Sequence, residues 1–164
     1  MIMKKIYSVM VENRSGVLSK VSGLFARRCF NIDSLVVGET FDPEVSNMTI
    51  VSSGDERTLE QIEKQLNKKL DVIKVKTFME EQSISREMML IKVKYNKSNR
   101  KDILEICEIC SAEIVDMSKN HIMMQICDTP EKIAVFRSML SGIPVVEVAR
   151  TGTLALPKCN DTEA

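Results

Sequence analysis

The stretch Asn13-Arg14-Ser15-Gly16-Val17-Leu18 stands where a strand-like pattern gives way to a helical one. The first N–H groups of any helix lack internal partners. The peptide dipoles add positive potential there, and an anion such as a carboxylate suits the place. Gly16 has no Cβ to keep a ligand off the backbone. Leu18, three residues after a Ser15 cap, cannot close a capping box, so donor capacity stays free. The Asn13 amide oxygen can accept from an ammonium group, and Asn31, from across the loop, can do likewise. Val17, Leu18 and Ile32 supply aliphatic walls. Donors, amide oxygens and aliphatic walls together describe a receptor for a small apolar amino acid. The bland alternative is an ordinary capped turn whose asparagines bond their own backbone.

Other reactive residues support less. Cys107-Glu108-Ile109-Cys110 has redox spacing. A redox pair, however, sits at a helix N-terminus, where the dipole lowers the thiol pKa. These thiols fall late in a helix, on its apolar face. A zinc site needs two more ligands, and Cys127 and His121 lack supporting spacing. His121 is the only histidine, with no nucleophile or carboxylate pattern around it. The doublets Met88-Met89 and Met123-Met124 read as strand positions facing both sides of a sheet. No Walker A motif, dinucleotide fingerprint or acid/base pair occurs.

The elements that must position the loop follow from periodicity. Lys4–Val11 reads as a strand. Val17, Leu18, Val21, Leu24 and Phe25 share one helix face, ending near Phe30. Ile32–Val37 and Ser46–Val51 are strands around the Asp42-Pro43 turn. Ser53-Gly54-Asp55-Glu56 opens a helix striped by Leu59, Ile62, Leu66 and Leu70. Val72–Met79 is a strand. Polar Glu80–Ser85 is the linker, and the pattern repeats. Arg86–Tyr95 is a strand, and Ile103, Ile106, Cys107 and Cys110 mark a helix. Glu113–Met117 and Ile122–Cys127 are strands. Thr129-Pro130-Glu131 starts a helix, Gly142 and Pro144 stop it, and Val145–Ala149 is the last strand. From Leu156 onward the chain reads as a frayed tail.

The expected fold class is therefore α+β, with two tandem βαββαβ ferredoxin-like sandwiches. The N-terminal domain spans 1–79, the linker 80–85, the second domain 86–157 and the tail 158–164. Each domain is small enough to gain from docking or dimerisation. This fold hosts enzymes, RNA binders and ligand sensors alike. An RNA-binding version needs stacking aromatics on its central strands, and Ser46–Val51 has none.

Composition closes off other classes. The 164 residues carry 23 Lys+Arg and 23 Asp+Glu, 12 of each in residues 1–82 and 11 of each in 83–164. No basic excess exists to release counterions from nucleic acid, and no basic amphipathic helix to lie on a membrane. Zero net charge also removes the self-repulsion that keeps copies apart. Scattered cysteines, odd in number and without an export signal, point to reduced thiols and a cytoplasmic location.

Glu12–Leu35, ENRSGVLSKVSGLFARRCFNIDSL, resembles the first strand-loop-helix of the ACT domain in small regulatory subunits of acetolactate synthase (acetohydroxyacid synthase). Met48-Thr49-Ile50 and Leu59–Val75 are similar too. Arg86–Val93 resembles the start of that family's second domain, and Glu147–Gly152 its end signature. The resemblance runs over roughly residues 3–156. It implies an N-terminal ACT domain, a C-terminal ferredoxin-like domain and no catalytic centre in this chain. It implies homodimers through ACT domains and a catalytic large subunit that holds thiamine diphosphate, Mg²⁺ and FAD. That partner is activated and made sensitive to feedback by valine, in branched-chain amino-acid biosynthesis. By position, Asn13, Gly16, Val17, Leu18, Asn31 and Ile32 are the effector-site candidates. Arg14 departs from the family pattern, where an acidic residue is common, and Arg150 has no role readable from sequence. The rival classes are a stand-alone amino-acid sensor controlling transcription, for which no DNA-binding segment fits, and a small ferredoxin-like enzyme.

Overall fold

Alternating inward apolar residues make the first strand, β1 (Met3–Glu12): Tyr7, Val9 and Val11 are buried on one face. A computed structural model describes residues 2–159. They divide into two compact units. The first runs through Ile84 and takes back the chain from Thr153; the second is Ser85–Gly152.

In the first unit, β1 is followed by α1 (Val17–Arg27), β2 (Ser34–Glu39), β3 (Val45–Gly54), α2 (Glu56–Asn67) and β4 (Val72–Phe78). The sheet order is β2-β3-β1-β4, antiparallel throughout. Val17, Val21, Leu24 and Phe25 recur at helical spacing and bury one face of α1. Leu59, Ile62 and Leu66 do so for α2. The core is closed over β1 and β3 by both helices. The Tyr7 hydroxyl donates to the Leu59 carbonyl at 2.8 Å, which satisfies the polar end of a buried ring. Asp55 caps α2 by accepting from the Thr58 N–H at 2.7 Å.

The second unit repeats the order: β5 (Ser83–Lys94), α3 (Arg100–Cys110), β6 (Glu113–Met117), β7 (His121–Asp128), α4 (Pro130–Met139) and β8 (Val145–Arg150), with sheet order β6-β7-β5-β8. Thr129 caps α4 and Pro130 takes its first position, as the missing proline N–H allows. Met89, Ile91, Val93, Ile106, Met124, Ile133 and Phe136 lie in its core.

The α+β expectation of two βαββαβ sandwiches holds, but four local readings change. Glu80–Ser85 is not an open linker: Glu80–Gln82 forms one 3-10 turn and β5 begins at Ser83. The chain is not frayed from Leu156, and from Thr153 it belongs with the first unit rather than the second. Leu154–Pro157 is a ninth strand, β9, pairing with β5, and Ala155 buries against Ile6, Val51 and Phe78 of the first unit. Of the tail 158–164, all beyond Cys159 lies outside the described residues. Finally, Leu70 is not part of the α2 stripe. The helix ends at Asn67, the Lys69 N–H turns back to the Leu66 carbonyl, and Leu70 is fully exposed.

Candidate functional site

The β1–α1 loop is built around Gly16, which sits at φ 87° and is the residue before the helix. That left-handed conformation suits glycine. Gly16, not Ser15, is the cap, and no side chain caps this helix end. The Val17 N–H reaches the Arg14 carbonyl at 3.3 Å and the Lys20 N–H the Gly16 carbonyl at 3.0 Å. The Leu18 and Ser19 N–H groups are left without acceptors among the described residues. A Cβ built on Gly16 would meet nothing within 4 Å, so the ground above the loop is open.

Asn13 is held in place by its amide nitrogen, which donates to the Pro43 carbonyl at 2.8 Å and to Glu39 Oε1 at 3.2 Å. Its backbone N–H donates to the Glu44 carbonyl at 2.7 Å. The amide oxygen therefore faces away from the hairpin that grips the nitrogen. Arg14 is exposed and turns back towards Glu12, Nη1 to Oε2 3.4 Å.

Asn31 is elsewhere. The structure brings Asn13, Gly16, Val17 and Leu18 together but places Asn31 and Ile32 at the opposite end of α1. Eleven helical residues span about 16 Å, and the strand register agrees: Glu12 lies opposite Val45, whereas Ser34 lies opposite Val51. Within one copy, Asn31 cannot act from across the loop. Its amide nitrogen donates to Asp33, which also accepts from Ser53 Oγ. Ser52 Oγ donates to the Asn31 carbonyl at 2.6 Å.

The aliphatic candidates divide as well. Val17 is buried and belongs to the core, Ile32 is half-buried against that core, and Leu18 is exposed. What Val17 offers is the position of the helix start, and Leu18 is the exposed aliphatic group at the loop.

Cys107 is buried and Cys110 half-buried, and burial pushes both thiols up. Cys107 Sγ lies 3.2 Å from Met124 Sδ and Cys110 Sγ 3.5 Å from Met139 Sδ. The pair is core, as its position on the helix predicted. His121 is half-buried, and its N–H donates to Ser118 Oγ at 3.1 Å in the β6–β7 turn. Among the described residues, no cluster of three or more His, Cys, Asp or Glu side chains could hold a metal. No helix there is long and apolar enough to cross a membrane.

Sequence reasoning missed three residues. Phe41 and Leu70 are fully exposed, and Glu87 is buried and forked by Arg150. Phe41 had a readable signal, a rare aromatic beside the Asp42-Pro43 turn. The other two depend on where the chain bends and on a partner 63 positions away.

Comparison with known proteins agrees over both units. Residues 7–74 match the family described as AHAS small subunit-like ACT domain, and residues 86–159 match that described as small subunit of acetolactate synthase. The Escherichia coli (strain K12) acetolactate synthase isozyme 3 small subunit is 40% identical over 157 residues, 95% of this chain and 96% of that one. The Haemophilus influenzae acetolactate synthase small subunit is 42% identical over 157 residues, with coverage of 95% and 96%. The crystal structure of the acetolactate synthase small subunit from Thermotoga maritima superposes with a TM-score of 0.89 at 38% identity. It covers 96% of this chain and 98% of that one. Matches in sequence, in fold and along nearly the full length make this chain a member of the acetolactate synthase small-subunit family.

Proposed function

We propose that this chain is the regulatory subunit of acetolactate synthase, that it raises the activity of the catalytic large subunit, and that it confers feedback inhibition by valine. The carrying observation is the divided site. Free Leu18 and Ser19 N–H groups, Gly16 and the Asn13 amide oxygen stand at one end of α1, and Asn31 with Ile32 at the other.

A two-fold axis beside α1 reunites the two ends. In an isologous pair each copy presents the same patch reversed. The Asn13–Leu18 end of one copy then meets the Asn31–Ile32 end of its partner. Two features favour that axis. The sheet has two free edges, β2 and β4. Edge strands are commonly guarded by lysines. β4 carries Lys74 and Lys76, whereas β2, Ser-Leu-Val-Val-Gly-Glu, carries none. The outward side of α1 is lined by Ser19, Ser22, Gly23 and Ala26, small enough for a partner helix to approach closely.

At the seam the amino acid's carboxylate meets the helix N–H groups, its ammonium meets the asparagine amide oxygens, and its side chain lies against Leu18 and the partner copy's aliphatic residues. Binding favours one arrangement of the pair, and the large subunit reads it. A coupling of about 1–3 kcal/mol covers the usual range of such regulation. Thiamine diphosphate, Mg²⁺ and FAD reside in the large subunit in this reading, and the assembly works in the cytoplasm.

The test is valine inhibition of the reconstituted holoenzyme carrying Gly16→Asp or Asn31→Ala. Each is expected to reduce sensitivity at least tenfold. Unchanged sensitivity in both removes the site.

A further inference from the structure

We propose that Phe41 and Leu70 are the paired anchors by which the N-terminal unit grips the catalytic large subunit, and that the Glu12-Asn13 segment links those anchors to the effector site. The inference rests on the regulatory reading above.

Both side chains are fully exposed. Apolar residues exposed together at one end of a unit, as Phe41, Leu70 and Ile73 are, mark contact surfaces, whereas ones scattered singly do not. Phe41 is not on a loose loop. The Thr40 N–H bonds the Val45 carbonyl at 2.9 Å, and the Val45 N–H bonds the Asp42 carbonyl at 3.0 Å. Asp42 Oδ1 also accepts the Glu44 N–H at 3.0 Å. Leu70 is fixed similarly: the chain on either side is tied by the Lys69 N–H to Leu66 and by the Val72 N–H to Lys69. A preorganised anchor loses little freedom on docking.

The two anchors flank one strand end. The Asn13 N–H and amide nitrogen bond the hairpin at Glu44 and Pro43, and the Glu12 N–H bonds the Asp71 carbonyl at 3.0 Å, next to Leu70. An effector that draws on Asn13 therefore pulls on both supports. This arrangement gives the large subunit something to sense.

Charge identifies the socket. Lys68 and Lys69 beside Leu70 make no ion pair among the described residues, and Ile73 next along is exposed. Asp42 and Glu44 beside Phe41 are exposed and make no ion pair among the described residues either, so the complementary surface is an apolar socket with an acidic rim facing Leu70 and a basic one facing Phe41. The small-residue face of α1, assigned above to the second copy, has no such anchors, so the knobs are given to the large subunit.

The test titrates the full chain into the large subunit without valine, reading activation of acetolactate synthesis and complex formation by sedimentation. Phe41→Ser and Leu70→Ser should each raise the half-activating concentration about tenfold, in the range of interface anchors, with maximal activation still reached. Lys68→Glu with Lys69→Glu should weaken binding further, and the salt dependence should flatten. Thermal melting, dimer state and valine binding to the free chain should be unchanged. A double Phe41→Ser, Leu70→Ser variant that activates like wild type overturns the anchors alone. A change in dimer state also overturns them, reassigning the knobs to the second copy. A wild-type chain that neither binds nor activates removes the regulatory reading along with them.

Discussion

Arg150 lies across the sheet from Glu87, with Nε and Nη2 each donating to a carboxylate oxygen, Nη2 to Oε2 at 2.9 Å. The Glu87 side chain is 2% exposed and that of Arg150 43%. The buried carboxylate is thus paired on both oxygens by a guanidinium fork that reaches in from the surface. The hydrogen bond to Glu87 holds the Arg150 guanidinium above its ordinary range. Thr151 continues the clamp: its N–H donates to the Met88 carbonyl at 3.0 Å, and its Oγ1 accepts the Met88 N–H at 3.1 Å. This explains the segment Glu147–Gly152, whose arginine had no role readable from sequence.

Arg150→Met should therefore destabilise the second unit by about 2 kcal/mol. Removing one partner of a buried pair costs more, about 3–5 kcal/mol, but the arginine end is partly solvated. The double variant Arg150→Met, Glu87→Met should recover much of the loss. Urea unfolding curves of the four proteins in the cycle measure this. A double variant as unstable as Arg150→Met alone would rule out the buried charge as the cause.

Gly23 tests the two-fold seam proposed beside α1. A Cβ built there meets nothing within 4 Å, and any residue but proline improves on glycine inside a helix by a few tenths to about 1 kcal/mol. Gly23→Gln should leave the isolated chain at least as stable while weakening the dimer by an order of magnitude or more. Sedimentation at several concentrations reads it. Wild-type dimerisation in this variant would place the two-fold axis elsewhere.

The cysteines should separate into two kinetic classes. Cys29 and Cys127 are exposed, as is Cys159. Burial pushes up the Cys107 and Cys110 thiols, so little thiolate forms at neutral pH. Labelling with a disulfide reagent at pH 7.5 should modify the exposed set at least roughly tenfold faster. The slow pair should react at a common rate only in denaturant. Rapid formation of a Cys107–Cys110 disulfide would revive the redox reading.

Acid should loosen both helix starts. Hydrogen bonding from Thr58 holds the Asp55 carboxyl below its ordinary value, and the Thr129 N–H does so for Asp128, with Lys132 adding to it. A carboxyl depressed in the folded state binds protons more weakly there than when unfolded. Its contribution is thus complete above the ordinary carboxylate range and lost as pH falls through the folded value. Stability should be flat near neutrality and fall below about pH 4. Asp55→Asn with Asp128→Asn should shallow that fall. An unaltered acid limb would point to other carboxylates.

Local pattern was enough for most of the fold. The buried positions of α1, Val17, Val21, Leu24 and Phe25, are those of the sequence stripe, because burial of one helix face imposes that period. The Thr129 cap was equally visible, and so was the helix start at Asp55-Glu56, since both depend only on nearby residues. Leu70 was misread because periodicity does not show where a helix stops, and a stripe extended by one turn gains a false member. Leu154–Pro157 was misread for a related reason: a short strand at a chain end has no pattern until its partner strand is known.

The candidate site shows the same division more sharply. Residue types alone determined that Asn13–Leu18 is a strand-to-helix loop with open donors, and that the chain is neutral and built twice over. Those properties depend on neighbours a few positions apart. Only the tertiary structure decided that Asn31 stands a helix length from Asn13, that Val17 faces the core, that Glu87 needs Arg150, and that Phe41 and Leu70 flank one strand end. These facts depend on how the chain returns to itself across tens of residues, and side-chain chemistry carries no record of that path.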